Sequence, residues 1–127
     1  MKKHSPRFLE LVNQAKSSIR ETNVHAVKER LDRGETFHLV DVREDKEWDA
    51  AHAAKAIHLG KGIIERDIEQ LVPDKSTELI LYCGGGYRSA LAADVLQTMG
   101  YTNVFSMAGG WKAWQESGAP IEEGPDV

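Results

Sequence analysis

Between Leu79 and Ser89 the sequence passes from a short apolar run through three glycines into a helical pattern, and few architectures accommodate that order. Leu79-Ile80-Leu81-Tyr82 is nearly continuous in hydrophobicity, the pattern of a strand buried on both faces. It ends on Cys83, the one cysteine of the sequence, and Gly84-Gly85-Gly86-Tyr87-Arg88-Ser89 then leads into a helical pattern that runs to Met99. A doubly covered strand followed at once by a turn and a helix is a unit of a parallel α/β sheet. Open sheets of that kind place ligands outside the carboxyl ends of their strands, so chemistry is expected at Cys83.

The loop after Cys83 has three ways of favouring an anion. Consecutive glycines can take backbone angles closed to other residues, so the N–H groups of positions 84 to 88 can turn inward as a nest. A helix beginning near Arg88 adds unpaired N–H groups and partial positive charge at the same point. Arg88 itself adds a cation with a planar fork of donors. The nearest anion is the Cys83 thiolate. A free cysteine has a pKa of about 8.5, so a thiolate at neutral pH requires roughly 2 kcal/mol, which a well-placed helix terminus can supply. Cys83 is therefore expected to be a reactive nucleophile. The plain alternative, a small buried apolar residue, would require neither the glycines nor the arginine.

Short apolar runs alternate with helical patterns along the rest of the chain. Ser5-Pro6 reads as an N-cap with proline at the first helical position, and Phe8, Leu9, Leu11, Val12 and Ala15 give an apolar stripe through about Lys16. Residues 19–21 are a weak edge-strand candidate. Thr22 or Asn23 can cap a helix carrying Val24, Val27 and Leu31 and closed by Gly34. Residues 37–42 read as a second buried strand, 44–51 as a short helix with Trp48, and 56–59 as a third strand. Ile63 to Leu71 is a helix with Ile64, Ile68 and Leu71 inward, ended by Pro73. The helix after Cys83 directs Leu91, Ala92, Val95, Leu96 and Met99 inward. A last strand at 103–106 precedes Gly109-Gly110 and a helix with Trp111 and Trp114, most simply packing residues, and from Ser117 onward the chain reads as loose. The expected fold is α/β: a central, mostly parallel sheet of about five strands with helices on both faces, plus an extra N-terminal helix.

Composition narrows the function. With 127 residues the chain is long enough for one domain, and 41% hydrophobic and 28% charged residues are ordinary for a globular protein. A net charge of −4 argues against a nucleic-acid partner. A single thiol excludes an internal disulfide and suits a reducing compartment. Lys2 and Lys3 are followed by no apolar segment of signal-peptide or membrane-spanning type. A cytoplasmic protein without membrane contact is expected. His52 and His58 stand at no metal-ligand spacing, so no metal is expected, and a hydrogen-bonded structural role is assigned to both.

Four segments together resemble the single-domain rhodanese family of sulfurtransferases. They are Leu39-Val40-Asp41-Val42-Arg43-Glu44 with Trp48, the Ala50-Ala51-His52 turn before Ala56-Ile57, the Cys83 loop, and Ala108-Gly109-Gly110-Trp111-Lys112-Ala113-Trp114. The resemblance implies a rhodanese-like domain over 18–122, with 1–17 an accessory N-terminal helix and 123–127 a loose C-terminal tail. It implies that Cys83 attacks the outer sulfur of a donor such as thiosulfate or polysulfide and carries it as a persulfide, with no separate cofactor. The acceptor would be cyanide or a thiol, and a sulfur-carrier protein is a further candidate partner. Gly84, Gly85, Gly86, Tyr87 and Arg88 would cradle the persulfide through their N–H groups, supported by Ser89. Asp41 and Arg43 match a family motif and are expected first to form a structural ion pair, with a direct catalytic role as the alternative. Tyr87 and Lys61 are candidates for the rim. The chain departs from the family's usual Gly-His-Ile-Pro-Gly-Ala run, which here reads Ala51-His52-Ala53-Ala54-Lys55-Ala56.

Two other readings stand beside sulfur transfer. Cysteine phosphatases and arsenate reductases place five residues between cysteine and arginine, whereas here four separate Cys83 from Arg88. One residue is worth up to about 3.5 Å of contour, so the shorter loop suits a single terminal sulfur better than a tetrahedral oxyanion. The second is a non-catalytic binding module on the same scaffold, against which stands the retention of the cysteine and its loop. A Walker-type nucleotide site is excluded because no Gly-Lys-Ser/Thr follows the glycines. A monomer is the default expectation.

Overall fold

In the computed structural model the described residues are 4–125; Met1 to Lys3, Asp126 and Val127, which belong to the expected N-terminal segment and tail, lie outside them. In chain order the elements are α1 (Pro6–Lys16), β1 (Arg20–Asn23), α2 (Val24–Asp32), β2 (His38–Asp41), α3 (Asp45–Ala50), β3 (Ala51–Ala53), β4 (Ile57–His58), α4 (Ile64–Leu71), β5 (Leu79–Tyr82), α5 (Tyr87–Thr98), β6 (Val104–Ala108), α6 (Gly110–Glu116) and β7 (Ile121–Glu123). Five strands form one sheet in the order β1-β6-β5-β2-β4, and every pairing in it is parallel.

The central strand β5 is buried along its whole length, and its side chains alternate between two cores. Leu79 and Leu81 join Val40, Ile64, Ile68, Ala92, Ala93 and Leu96 under α4 and α5. Ile80 and Tyr82 join Val24, Val27, Leu39, Trp48 and Trp114 under α2, α3 and α6. This two-sided burial explains why the strand lacks polar alternation. From β2 the chain steps outward to β4, then crosses back to β5 on the other side of β2. The sheet therefore reverses its winding between β2 and β5, where a crevice opens at the strand ends.

Local signals set the helix ends. Ser5 Oγ accepts from Phe8 N–H (3.3 Å) and Asn23 Oδ1 from Ala26 N–H (2.9 Å), opening α1 and α2. Glu44 and Glu47 close a reciprocal capping box at the start of α3. Two expectations require correction. Leu71 is 55% exposed, and Val72, freed by the end of α4, turns into the core in its place. Residues from Ser117 onward are ordered as far as β7, which pairs antiparallel with β3 through Ala51–Glu123, His52–Glu122 and Ala53–Ile121. Trp114 Nε1–H donates to the Pro120 carbonyl (2.8 Å), which brings the segment back over α6.

The N-terminal helix forms an added outer layer, docked on α5 rather than on the sheet. Just beyond its end, Ser18 Oγ meets Asp94 (3.1 Å) and Gln97 Nε2–H donates to the Ser18 carbonyl (2.9 Å). Leu91 and Val95, expected inward, are half-buried; Met99 is half-buried too but packs against the core as expected, and Ser89, Ala90, Ala92, Ala93 and Leu96 take the interior.

Candidate active site

Cys83 follows β5 directly, at the carboxyl edge of the sheet, and is 1% exposed. The Gly86 N–H donates to its Sγ (3.1 Å), and the Ser89 hydroxyl lies 3.6 Å from the sulfur. Behind the loop, α6 begins with two N–H groups that hold the loop's carbonyls: Trp111 donates to Cys83 O (2.7 Å) and Lys112 to Gly84 O (3.1 Å). With those carbonyls tied from behind, the N–H edge of the loop is left free to turn toward the thiol. Gly110 sits so close that a Cβ there would overlap the Cys83 carbonyl, and its φ is +50°. Gly110 is thus part of the site; from sequence the Gly109-Gly110 pair was read only as the lead into a helix whose Trp111 and Trp114 pack. Two glycines directly before a helix were the available signal.

The three loop glycines are not equivalent. Gly86 has φ +103° and forms the left-handed N-cap of α5, whereas Gly84 and Gly85 keep ordinary angles. The expected backbone freedom is needed at one position, the corner where the strand end becomes a helix. Ser89, one turn into α5, is fully buried and its hydroxyl lies 2.8 Å from that of Ser106 on β6. Ser106 extends the polar chain from the sulfur into the sheet. It was not singled out from sequence because a lone serine in a short strand carries no pattern.

Arg88 does not stand free. Its guanidinium donates to both oxygens of Glu47 (2.8 and 3.2 Å), and it crosses Gly84 closely enough that a Cβ there would lie 3.2 Å away. The hydrogen bonds from Arg88 hold the Glu47 carboxyl below the usual carboxylate range, and Glu47 raises Arg88 in turn. Because α3 delivers a carboxylate to this point, the cation expected to favour an anion at the thiol is a tie between the cysteine loop and α3.

Asp41 and Arg43 form a buried ion pair beneath the site. Arg43 donates through Nη2 to Asp41 Oδ2 (2.8 Å) and to the Ala51 carbonyl (2.7 Å), and its guanidinium stacks over Trp111 at 4.7 Å. The Tyr82 hydroxyl donates to Asp41 Oδ2 (2.6 Å) while accepting from Ala53 N–H (3.0 Å); burial first, and then the Asp41 charge, push that phenol upward. These contacts join β2, β3, β5 and α6 without touching Cys83 Sγ. His52 stacks on Trp48 at 3.4 Å with Nδ1 at the Trp48 carbonyl, and His58 Nε2 meets the Arg43 carbonyl (2.9 Å). Among the described residues, no three His, Cys, Asp or Glu side chains converge as metal ligands.

A cleft of about 730 Å³ opens beside the loop, lined in part by Phe8, Val42, Lys61, Ile63 and Arg88. Val42 follows β2, donates its N–H to the Tyr82 carbonyl (2.9 Å) and shares a core cluster with Cys83, so the cleft reaches the end of β5. Lys61 is on this rim as expected. Tyr87 turns away toward α1, where it meets His4, Phe8 and Lys16.

Comparison with known proteins agrees with this geometry. A family model for the rhodanese-like domain matches residues 23–117. The thiosulfate sulfurtransferase GlpE of Vibrio cholerae is 35% identical over 85 residues, covering 67% of this chain and 78% of that protein. A Bacillus subtilis protein provisionally named a sulfur carrier, YrkF, is 31% identical over 98 residues, covering 77% of this chain; the chain spans about half (52%) of that protein's length. Among solved structures, protein RPA3614 of Rhodopseudomonas palustris, of unknown function and described as a possible tyrosine phosphatase, superposes with a TM-score of 0.79. It is 28% identical, covering 96% of this chain and 99% of its own.

Proposed function

The chain belongs to the rhodanese-like domain family, and we propose that it is a sulfurtransferase working through a persulfide on Cys83. The observation that carries this reading is the sulfur at the end of β5, met by the Gly86 N–H at 3.1 Å where α5 begins. In the first half-reaction the Cys83 thiolate attacks the outer sulfur of a donor. The new S–S bond forms as the donor's own S–S bond breaks, and thiosulfate would leave as sulfite. In the second, cyanide or a thiolate attacks the outer sulfur of the persulfide and takes it away as thiocyanate or a new persulfide, returning the thiolate. This is double-displacement covalent catalysis. Thiolate and persulfide are both anions, so the N–H groups of residues 84–88, backed by α6 and supported by Ser89, serve both halves without reorganising. Asp41 and Arg43 act as positioning residues that hold the strand ends, and Arg88 fixes the loop against Glu47.

The description of RPA3614 raises phosphate-ester chemistry as a second reading. Against it, the loop has one residue fewer than an oxyanion cup of that kind, and Arg88 is already engaged by a carboxylate. Intact mass before and after incubation with thiosulfate or polysulfide, with Cys83→Ser alongside, separates the two. Gain of one sulfur by the wild type alone, released by cyanide as thiocyanate, is the expected result. No gain with either donor overturns sulfur transfer, and phosphatase and arsenate assays follow.

A further inference from the structure

Strand β6 is apolar along its length except at Ser106. Ser106 is fully buried, with Leu81 of β5 and Glu21 of β1 as its register neighbours. Two residues along the strand from Val104, it shares that residue's face, which meets the core under α4 and α5. A buried hydroxyl is costly unless it is hydrogen-bonded, so packing alone gives no reason for a serine there. Among the described residues its hydroxyl has one hydrogen-bond partner, Ser89 on α5 at 2.8 Å. Ser89 is equally buried, and its second contact is Cys83 Sγ at 3.6 Å, within reach for the larger sulfur atom. A strand end, a helix and a neighbouring strand thus bring the thiol and two hydroxyls into one buried file.

The protons in that file set its direction. Each hydroxyl has one proton to donate and can also accept. When Cys83 is a thiol, its S–H can donate to Ser89, and the Ser89 proton then points to Ser106. A thiolate has no proton and only accepts, so the Ser89 hydroxyl must turn toward the sulfur. Its oxygen is left facing Ser106, which has a proton to give it. A hydroxyl that accepts one bond while donating another is polarised into a stronger donor. The charged groups around the thiol already have partners: Arg88 is tied to Glu47 of α3, with Glu44 near it, and Asp41 pairs with Arg43. From α5 and β6 the sulfur meets this file of neutral hydroxyls.

We propose that Ser106 is a positioning residue for the Cys83 thiolate, orienting and polarising the Ser89 hydroxyl toward Sγ whenever that sulfur carries the charge. Its catalytic use rests on the sulfur-transfer reading and distinguishes the two states of the cycle. Once the new S–S bond has formed, the charge lies on the outer sulfur, Cys83 Sγ has two covalent bonds, and the file can turn back. The thiolate attacks when Cys83 is loaded and leaves when it is discharged, so Ser106 assists ionisation before the first step and departure in the second.

Alkylation of Cys83 by iodoacetamide across pH needs no sulfur donor and reads the hydroxyl pair directly. On the rising limb of the pH–rate profile, Ser106→Ala is expected to slow alkylation about fivefold. On the alkaline plateau the sulfur is ionised in both proteins, and the rate is expected to rise by up to about twofold, because a less stabilised thiolate is the better nucleophile. A packing defect would not move the two limbs in opposite directions. Ser106→Thr and Ser106→Val match each other in shape and differ in the hydroxyl; the same contrast between them guards against the space left by alanine. Thiolate absorbance, with Cys83→Ser subtracted, follows the same ionisation if the buried sulfur alkylates slowly. In a Ser89→Ala background, Ser106→Ala is expected to change the rising limb by less than about 1.5-fold. Cyanide discharge of sulfur-loaded Cys83 is expected to slow about threefold in Ser106→Ala. An undisplaced profile in Ser106→Ala, the same loss with Ser89 absent, or an unchanged discharge rate overturns the proposal while loading leaves sulfur transfer standing. Failure of thiosulfate and polysulfide to load Cys83 would instead remove the sulfur-transfer reading, and the ionisation profiles alone would then decide the role of Ser106.

Discussion

At Gly110 the backbone passes so close to the Cys83 carbonyl that no side chain can be added without moving one of them. The α6 N–H groups that hold Cys83 O and Gly84 O depend on this approach. Gly110→Ala combines a steric overlap with a strained φ of +50° and is expected to destabilise the protein by about 2–3 kcal/mol and to slow sulfur loading. Gly85→Ala is the matched control, because its Cβ would meet nothing within 4 Å and its φ is ordinary; its stability is expected to change by no more than about 0.5 kcal/mol. Urea denaturation and loading kinetics on the two variants distinguish a requirement for close approach from a general need for a flexible loop. Equal effects would refute the first. A second residue bears on the departure from the family run. Lys55 has φ +69°, the one left-handed non-glycine among the described residues, and it stands where the family's usual run has glycine. Lys55→Gly is expected to stabilise by about 0.5–1 kcal/mol, since the strain relieved exceeds the added unfolded-state entropy. Restoring the family's proline at the preceding position is expected to do the opposite. Ala54 N–H donates to the Pro120 carbonyl (3.0 Å), and Ala54→Pro removes that bond at a cost of about 1 kcal/mol. Thermal melts of both variants decide the point.

Helix α3 links the strand ends to the cysteine loop through one side chain. Glu47 caps the helix by accepting from Glu44 N–H (3.1 Å) and also receives both Arg88 bonds. Glutamine can keep the cap, so Glu47→Gln isolates the charge. The pair is about a third exposed, and after solvent screening it contributes roughly 0.5–1 kcal/mol. Because Arg88 lowers the folded-state titration of Glu47 below its ordinary value of 4.5, that stability is fully present above about pH 4.5 and is lost as pH falls through the folded value. Wild type is therefore expected to exceed Glu47→Gln in stability near neutrality, with the gap closing in acid. A pH-independent gap would assign the effect to packing. The elements also show where sequence patterns carry information. Strand β5 was legible as a continuous apolar run buried on both faces, and helices α2 and α4 because each buries one face at helical period. The β3–β7 ribbon was not, since Ala51-His52-Ala53 and Ile121-Glu122-Glu123 lack an apolar alternation and pair across a long stretch of chain. The site divides in the same way. Cys83 and its glycines declare themselves within one short stretch, whereas Glu47, Ser106 and Gly110 reach the loop from three other elements and join it only through folding.

The molecule as a whole is a two-core sheet with one helix added outside it. All five strands and both cores lie after α1, which rests on the outer side of α5. That position accounts for apolar residues of α5 beyond its sheet face: Ala92, Ala93 and Leu96 join the core, while Leu91 and Val95 are half-buried elsewhere on a helix that packs on α1. Helical periodicity alone could not tell a face directed at a sheet from one directed at a second helix. The contacts of Cys83 Sγ, the α6 bonds behind the loop and the Arg88–Glu47 tie are all made without α1. Removing residues 1–17 is therefore expected to leave the sheet and Cys83 loading by thiosulfate in place. It uncovers the α5 face and forfeits the burial of Val12 (1% exposed) and Ala15 (2%), a loss of about 3 kcal/mol. For a domain of this size that corresponds to a fall in Tm of about 10 °C. A melt that stays cooperative at lower temperature, with loading retained, would mark α1 as an added layer. Loss of cooperative unfolding would instead make α1 integral to the fold, with the α5–α1 contact as necessary as the sheet itself.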